Sequence, residues 1–389
     1  MMGYELIDMC SENANIKVIG VGGGGGNAVN HMVDSNIEGV QFICANTDAQ
    51  ALRRLSVDTV VQLGVALTKG LGAGTNPEVG REAAEENRER LREVMEGADM
   101  IFLTAGMGGG TGTGAIPIIA EIARELGILT VAVVTKPFDF EGKKKMMVAE
   151  KGIVELEQYV DSLITIPNQK LLPVLGADVS LADAFKAANN VLLDAVQGIT
   201  ELIVHPGTIN VDFADVRTVM AGMGAAIMGT ATATGENRAR KAAEKAIACP
   251  LLDDINLRGA RGILVNISAA DIGMAEFNEV GSIVYEFAAE DAIIKIGTAI
   301  DMSLGDQIKV TVVATGMGGN PIVSAIKSPI KVVPSKTSSD EIDYGSFDRP
   351  TSQRIPKPDQ RENRFGAQPK KEIDMDYLDI PAFLRRQAD

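Results

Sequence analysis

The residues best suited to chemistry form a glycine-rich segment, Gly106 to Gly114, with the sequence GMGGGTGTG. Six of its nine residues are glycine, so the backbone can lie directly against a ligand. Backbone N–H groups that converge at the start of a helix bind negative charge, and phosphate is their natural ligand. The hydroxyl groups of Thr111 and Thr113 add donors. The segment therefore predicts a binding site for a phosphate chain.

The sequence on either side supplies the elements that would position this segment. An apolar run from Asp99 to Ala105 predicts a buried strand, and apolar residues at helical spacing continue from Ala115 to Gly127. Pro117 is expected in the first turn of that helix, where proline is well tolerated. A flexible linker is the alternative, but linkers rarely lie between a buried strand and an amphipathic helix.

Two further glycine-rich segments precede this one. Gly20, Gly22 and Gly25 match the GxGxxG fingerprint of dinucleotide-binding proteins, and Asp48 follows at roughly the expected distance. The other segment spans Lys69 to Gly80. An NAD-dependent oxidoreductase is therefore one interpretation, although it leaves the remaining glycine-rich segments unexplained. A triphosphate held by several loops at one edge of a sheet accounts for all of them.

Strands and helices alternate through the first half of the chain. Ile16 to Gly20, Val40 to Asn46 and Ile128 to Thr135 are apolar runs typical of strands, and Pro77 is expected to begin a charged helix ending near Met95. This alternation predicts an α/β fold with a doubly wound parallel sheet. The ligand should lie beyond the carboxyl ends of the strands, where the glycine-rich segments fall.

Composition limits the classes of function. The 389 residues carry a formal net charge of -15, which argues against direct binding to nucleic acid or anionic lipid. The start is acidic and polar, unlike a secretion signal, and no apolar run is long enough for a membrane helix, so we expect a cytoplasmic protein. Two distant histidines, His31 and His205, and three cysteines indicate neither histidine-based nucleophilic catalysis nor a disulfide framework or zinc site.

A long helix is predicted from Ser180 to about His205. Apolar residues recur three and four positions apart, Ser180 and Asp183 form a capping pattern, and a His-Pro-Gly sequence ends the helix. Its length of about 36 Å would span a domain from one face to the other. Asn189 and Asn190 interrupt the apolar series and indicate where a polar group could point into a pocket.

The pattern after this helix predicts a second α/β domain. It begins with a turn that carries Asn210, Asp212 and Asp215, and a helix is expected to follow through about Gly229. Local rules make Asp212 the N-cap of that helix and Asp215 its capping partner. Later strands are expected over 261–268, 292–300 and 307–316, with a helix near 276–288.

The end of the chain has a different composition. Beyond about Pro334, proline, serine and charged residues dominate and predict a disordered linker. Apolar residues return in the terminal DYLDIPAFLRRQAD, with the spacing of a short helix that docks in a groove; an inert terminus is the alternative. The candidate partner-binding residues are Asp376, Tyr377, Leu378, Ile380, Pro381, Phe383 and Leu384.

Taken together, these motifs resemble one family. The segments VGGGGGNAV, NTDAQAL, GAGTNPEVG, GMGGGTGTGA, TKPFDFEG, NVDFADV and DYLDIPAFLRRQAD are similar to those of the FtsZ family of tubulin-like bacterial cell-division GTPases. The P-loop pattern GxxxxGK[ST] does not occur in the sequence. The similarity covers nearly the whole chain apart from the first dozen residues and the linker.

The resemblance implies a tubulin-like fold and a domain order. A GTP-binding domain would span 15–179, a central helix 180–205 and a smaller, GTPase-activating α/β domain 206–320. Residues 1–14 would form a flexible N-terminus, 321–372 a mostly disordered linker and 373–389 a partner-docking peptide. The family also implies head-to-tail homopolymers that form the division ring at mid-cell on the inner face of the membrane. Membrane-tethering and regulatory division proteins would bind the terminal peptide, so contact with the membrane would be indirect.

The resemblance further implies a site for GTP or GDP with Mg²⁺, without a protein side chain assigned to the metal. Glu141 and Lys145 would hold the ribose, Asn168 the sugar region, and Phe185 and Asn189 the guanine. The family usually has arginine at the position of Lys145, and lysine keeps the charge but lacks the planar fork. The other residues implied in the site are Gly23, Gly24, Asn27, Thr47, Gly108, Gly109, Gly110, Thr111 and Gly112.

Hydrolysis requires a group that orients or activates water, and the phosphate-binding segments offer no obvious carboxylate or histidine. Asn210, Asp212 and Asp215 are the candidates, but the long helix should place them on the opposite face of the molecule. They could serve the GTP of a neighbour if subunits stack head to tail. In FtsZ and tubulin relatives this turn does complete the site across the interface, so the resemblance implies that hydrolysis depends on assembly.

Overall fold

A single ten-stranded sheet runs through the computed structural model, which describes residues 14–176, 178–204, 207–249 and 259–317. The strands are β1 (Ile16–Val21), β2 (Val40–Asn46), β3 (Thr59–Gln62), β4 (Met100–Gly106), β5 (Leu129–Lys136), β6 (Ser162–Pro167), β7 (Gly224–Ala233), β8 (Gly262–Ala269), β9 (Ile293–Ile300) and β10 (Ile308–Thr315). Several predicted features lie outside the described residues: the helix end at His205, the linker, the terminal docking peptide and nearly all of the N-terminal segment.

The described helices alternate with these strands. They are α1 (Gly22–Asp34), α2 (Ala49–Leu52), α3 (Val65–Thr68), α4 (Pro77–Glu86), α5 (Arg88–Met95), α6 (Gly110–Glu125), α7 (Lys143–Leu156), α8 (Leu172–Leu175), α9 (Leu181–Val204), α10 (Phe213–Met220), α11 (Arg238–Ile247) and α12 (Met274–Phe287). Several begin at capping residues that the sequence supplies. Ser180 Oγ, for example, accepts the N–H of Asp183 at 3.1 Å before α9 and donates to the Asp183 carboxylate at 2.6 Å.

The order of the strands determines where a ligand can bind. The sheet runs β3-β2-β1-β4-β5-β6-β7-β10-β8-β9, and the strands from β3 to β7 are parallel. The chain leaves β1 toward β2 on one side and later returns to β4 on the other. Ligands of open α/β sheets bind at the carboxyl ends of the strands where the order reverses, which here is between β1 and β4. The predicted doubly wound parallel sheet is thereby confirmed.

Two helical layers cover this parallel part. Helices α4, α5, α6 and α7 bury apolar residues such as Leu91 and Ile116 against one face. Helices α1, α9 and α10 cover the other face, where Leu192, Val196 and Ile199 of the long helix pack. Alternating apolar residues of β7, β8 and β10 form a further core with α11 and α12. The fold is thus tubulin-like in its parts: a parallel-sheet domain, a long central helix and a smaller α/β domain.

Three local predictions were wrong. Helix α6 begins at Gly110, so Pro117 lies inside it and not in its first turn. The charged helix expected from Pro77 to Met95 is interrupted at Asn87, whose side chain accepts the N–H of Gly64 at 2.8 Å. Residues 224–229, expected as helix, belong to β7 because this segment pairs with β6 and β10. In each case a contact distant in sequence outweighed the local pattern.

The long central helix agrees with its prediction. Helix α9 has 24 residues and buries one face along most of its length. Asn189 and Asn190 lie on it at the expected interruption. In the described segments of the chain, no helix has both the length and the apolar character needed to cross a membrane.

Candidate functional site

A cavity of about 380 Å³ lies at the carboxyl ends of the central strands. The loop and helix after β1 form one wall, the glycine-rich segment after β4 forms another, and residues after β5 and β6 form a third. The first half of α9 supplies a further wall. The cavity therefore lies at the reversal of strand order, where the topology favours ligand binding.

Twelve of the fourteen residues expected around a nucleotide line this cavity: Gly23, Gly24, Asn27, Gly109, Gly110, Thr111, Gly112, Glu141, Lys145, Asn168, Phe185 and Asn189. The other two lie immediately behind the lining. Thr47 Oγ1 is 2.6 Å from Thr111 Oγ1 in a buried hydrogen bond. The N–H of Gly108 donates to Thr113 Oγ1 at 2.7 Å. The fold thus brings residues from six separate segments to one place.

The glycines of this region fall into two groups. Some allow two backbones to touch: a Cβ atom on Gly22 would lie 2.8 Å from the nitrogen of Gly112, and one on Gly114 would lie 1.9 Å from the carbonyl oxygen of Pro77. Gly23 and Gly109 differ, because a Cβ atom on either would meet no atom of the described residues within 4 Å. Both line the cavity, so the absence of a side chain at these positions leaves space for a ligand and does not serve the packing of the protein itself.

The described lining residues place their one carboxylate, Glu141, at the edge of the cavity. Glu141 accepts the N–H of Phe138 at 2.9 Å and forms an ion pair with Lys145 one helical turn later. Charged hydrogen bonds of this kind fix a side chain more firmly than neutral ones do. Glu141 is therefore held by its neighbours and is not poised over the glycine-rich segment as a general base.

Polar and aromatic groups converge on the far end of the cavity. Asn168 is buried, and within the described part of the chain no group donates to its Oδ1 atom. A buried amide oxygen without a donor is costly, which makes it a candidate to receive a hydrogen bond from a ligand. Phe185 is 41% exposed and packs edge-on against Phe138, with ring centroids 5.4 Å apart. This end of the cavity can therefore hold a flat, hydrogen-bonding ring.

Several lining residues were missed by sequence reasoning: Gly74, Gly106, Met107, Thr135, Pro137, Ala188 and Leu192. None of them was named individually as a site residue, but Gly106 and Met107 begin the glycine-rich segment after β4, and the others lie within or beside segments with a recognisable sequence pattern. Gly74 belongs to the glycine-rich stretch before α4, and Thr135 and Pro137 surround the carboxyl end of β5. For Gly106, Met107, Thr135 and Pro137 the available signal was their position at strand ends. Ala188 and Leu192 lie on α9 and resemble ordinary core residues by type.

A hydrogen bond between two helices fixes the wall of the cavity that α9 forms. His31, in the last turn of α1, has its Nε2 atom 2.6 Å from Asn190 Oδ1 on α9. Because an amide oxygen only accepts, the imidazole is the donor. Asn190 adjoins Asn189, which lines the cavity. The hydrogen bond therefore ties the position of the α9 wall to α1.

The acidic turn lies beyond the other end of α9. From Phe185 to Val204 the helix rises about 29 Å, and the turn follows at residues 207–212. Asp212 is the N-cap of α10, and its Oδ1 atom accepts the N–H of Asp215 at 2.8 Å, which confirms the cap predicted from local rules. Asn210 and Asp212 are exposed. The three candidate catalytic residues are therefore close to one another and far from the cavity of the same chain.

Other chemistries find little support at the cavity. Burial raises the pKa of the Cys44 thiol to about 12, so this cysteine is not a nucleophile at neutral pH. No group of three or more His, Cys, Asp or Glu side chains suited to a metal occurs among the described residues. Asp48, the acidic residue of the dinucleotide fingerprint, instead caps α2 by accepting the N–H groups of Gln50 and Ala51.

Comparison with known proteins agrees with this geometry. Residues 15–176 match the model of the tubulin/FtsZ family GTPase domain, and residues 224–318 match that of the FtsZ family C-terminal domain. The cell division protein FtsZ of Coxiella burnetii is 60% identical over 384 residues, which cover 98% of this chain and 99% of the relative. That of Pseudomonas aeruginosa is 57% identical over 400 residues, covering 99% and 100%.

The solved structures agree as well. An empty FtsZ dimer from M. jannaschii matches with a TM-score of 0.75 and 43% identity, covering 78% of this chain and 88% of that one. These matches leave the oxidoreductase interpretation without support, and a GTPase family accounts for the glycine-lined cavity at the sheet edge. The chain therefore belongs to the FtsZ family of tubulin-like GTPases, and it binds and hydrolyses guanine nucleotide.

Proposed function

We propose that this GTPase assembles head to tail and that each active site is completed by the acidic turn of the next subunit. The observation that carries the proposal is the separation within one chain of the glycine-lined cavity from Asn210, Asp212 and Asp215 by the second half of α9, which rises about 18 Å from Leu192 to Val204. A heterologous contact between opposite ends of the molecule generates an open filament. The dependence of GTP turnover on protein concentration tests this arrangement, because a shared site exists only after subunits meet.

In this proposal the cavity holds GTP in a defined orientation. The backbone N–H group of Gly109 and the N-terminus of α6 would face the phosphates. Glu141 and Lys145 at the edge would hold the ribose. Phe185 and Asn189 would contact the guanine, with Asn168 as a further hydrogen-bonding group. Lys145 supplies a single ammonium where related proteins have a guanidinium, so its contact with the ribose or phosphate is less directional.

Magnesium is compatible with this arrangement. Mg²⁺ takes oxygen ligands and commonly keeps several waters while it binds substrate phosphates. Among the described lining residues the one carboxylate, Glu141, is paired with Lys145, and the hydroxyl of Thr111 is hydrogen-bonded to Thr47. The other side-chain oxygens of the lining, on Thr135, Asn27, Asn168 and Asn189, are uncharged. The ion would therefore be held mainly through the nucleotide. When bound, it would neutralise charge that develops on the phosphates.

The acidic turn would supply the hydrolytic groups. Asp212 is fixed by its hydrogen bond from the N–H of Asp215, and both carboxylates belong to the solvent-facing side of the turn. Placed against the cavity of a neighbour, such carboxylates can orient and deprotonate the attacking water. Hydrolysis would then weaken the junction between subunits, which makes the filament dynamic.

Replacing His31 with alanine should weaken GTP binding by about fivefold, since one hydrogen bond contributes roughly 1 kcal/mol. The loss would arise because Asn190 is released and the α9 wall with Asn189 moves relative to the base. His31→Gln keeps an N–H donor on a side chain of similar reach and should recover most of the affinity. Fluorescent GTP titration at concentrations too low for assembly measures this effect. Equal affinities for the alanine and glutamine variants would refute the positioning role.

We also propose that the protein acts in the division ring at mid-cell, on the inner face of the membrane. The terminal peptide with Tyr377, Ile380 and Phe383 would bind membrane-tethering and regulatory division proteins; these residues lie outside the described part of the chain. Contact with the membrane would then be indirect, through those partners.

Deleting Asp376 to Asp389 should leave GTP turnover and filament formation unchanged while abolishing binding to those partners. The reason is that the cavity and the acidic turn both lie within residues 15–317. Sedimentation of filaments with and without a tethering protein, together with phosphate release, measures both properties. Loss of turnover on deletion would argue against a tail that acts independently of catalysis.

A further inference from the structure

An ion pair joins the acidic turn to the edge of the sheet. Lys295, on the edge strand β9, places its Nζ atom 2.6 Å from Asp215 Oδ1. The lysine side chain is 35% exposed and that of the aspartate 34%, so the pair lies at the surface beside the turn. Neither residue is part of a buried core.

The stability of the turn does not require this lysine. Asp215 lies in the first turn of α10, where the helix dipole already favours a negative charge. Its N–H is bound by Asp212, which completes the cap. Exposed ion pairs contribute little to stability on average. A lysine that reaches from a neighbouring strand to this carboxylate therefore calls for another explanation.

A second ion pair between a lysine and an aspartate has a purely structural role and serves for comparison. Lys309 on β10 lies 2.8 Å from Asp194 on α9, and the lysine side chain is only 13% exposed. That pair joins the central helix to the sheet beneath it. The pair of Lys295 and Asp215 joins an edge strand to the segment that carries the hydrolytic residues, and it remains open to solvent.

We propose that Lys295 is a positioning residue for GTP hydrolysis, an inference that rests on the proposed function of the turn. Its ammonium holds the Asp215 carboxylate in one orientation. It also offsets one of the two negative charges of the turn. Without it, the phosphates of the partner's GTP would repel both aspartates as the turn approaches. Lys295 acts through Asp215 and contacts neither the nucleotide nor the attacking water.

The test uses mixed filaments in which only the acidic turns of the added subunits can support GTP hydrolysis. Subunits carrying Asp212→Asn are present in large excess and bind GTP with an intact cavity. A small fraction of wild-type, Lys295→Met, Lys295→Arg or Lys309→Met subunits is added. Each added turn then faces a competent cavity, and phosphate release per incorporated subunit reports that turn alone. Differences in assembly cancel because the filament is almost entirely the same protein.

We expect Lys295→Met turns to be slower than wild type by on the order of tenfold, since misplacing a reacting group is costly even without loss of the group. Lys295→Arg should recover most of the rate because it restores the cation. Lys309→Met, the control, breaks the pair with Asp194 and should lower stability, but the turn of an incorporated Lys309→Met subunit should work at the wild-type rate. Affinity of the unassembled Lys295→Met subunit for GTP should be unchanged, because the cavity is untouched.

Two results overturn the inference. The first is a wild-type rate for Lys295→Met turns, and the second is an equal loss in Lys309→Met, which would indicate a general effect of removing a lysine from this sheet. A failure of the proposed function looks different. Wild-type subunits diluted into Asp212→Asn filaments would then restore no turnover, or Asp212→Asn filaments would hydrolyse GTP by themselves.

Discussion

Replacing Asp212 with asparagine should leave GTP binding intact and lower GTP turnover per assembled subunit by about 100-fold or more. The cavity lies at the opposite end of α9 and contains no part of this residue. Asparagine keeps an oxygen that can accept the N–H of Asp215, so the cap of α10 is retained while the base is lost. The expected result is a filament that contains GTP and hydrolyses it very slowly.

The appropriate control changes another exposed aspartate that accepts a backbone N–H. Asp99 Oδ2 accepts the N–H of Asn15 at 2.8 Å before the amino end of β4, away from both the cavity and the turn. Asp99→Asn should turn over GTP at the wild-type rate. Asp212→Ala adds a loss of roughly 1 kcal/mol in stability from the missing cap, so it is the less informative variant. Normal turnover in Asp212→Asn would show that the carboxylate is not catalytic.

Replacing Gly109 with aspartate should lower the affinity for GTP by about 100-fold or more, because like charges placed together cost several kcal/mol. A Cβ atom at this position has no neighbour within 4 Å in the part of the chain that the structure describes, so the new side chain can enter the cavity without disturbing the fold. Its carboxylate would then occupy the space proposed for the phosphates. Equilibrium titration with labelled GTP measures the loss directly.

Gly259 offers a matched control for this substitution. Among the described residues, a Cβ atom there also meets nothing within 4 Å, and the residue is exposed and does not line the cavity. Gly259→Asp should therefore bind GTP normally. Unchanged affinity in Gly109→Asp would mean that the phosphates bind elsewhere, and the orientation proposed for the nucleotide would have to be reversed.

Much of the site is encoded in local sequence patterns. The glycine-rich segments lie directly at strand ends, so the sheet topology alone brings Gly23 and Gly109 together. The long helix was predicted from its period, and its length separates the cavity from the turn. The break in the apolar series pointed to Asn189 as a polar group near a pocket, but the proposed contacts of Phe185 and Asn189 with guanine came only from resemblance to the family, because a half-exposed aromatic and a helical asparagine are ordinary surface residues by type.

What the sequence did not reveal depends on contacts between distant segments. The start of α6 at Gly110, ahead of Pro117, accompanies a hydrogen bond from its N–H to the Gly74 carbonyl at 2.8 Å. The hydrogen bond between Thr47 and Thr111 joins residues 64 positions apart. The pairing of Lys295 with Asp215 likewise joins a strand to a turn far from it in sequence. No local pattern predicts such pairs.

The most direct test of the account is GTP turnover measured against protein concentration, with light scattering recorded on the same samples. If the active site is built between subunits, turnover per molecule should be negligible below a threshold concentration and should rise together with scattering. Constant turnover per molecule at every dilution would contradict the account. It would mean that one chain contains a complete site, and that Asp212 and Asp215 serve only to cap and anchor α10.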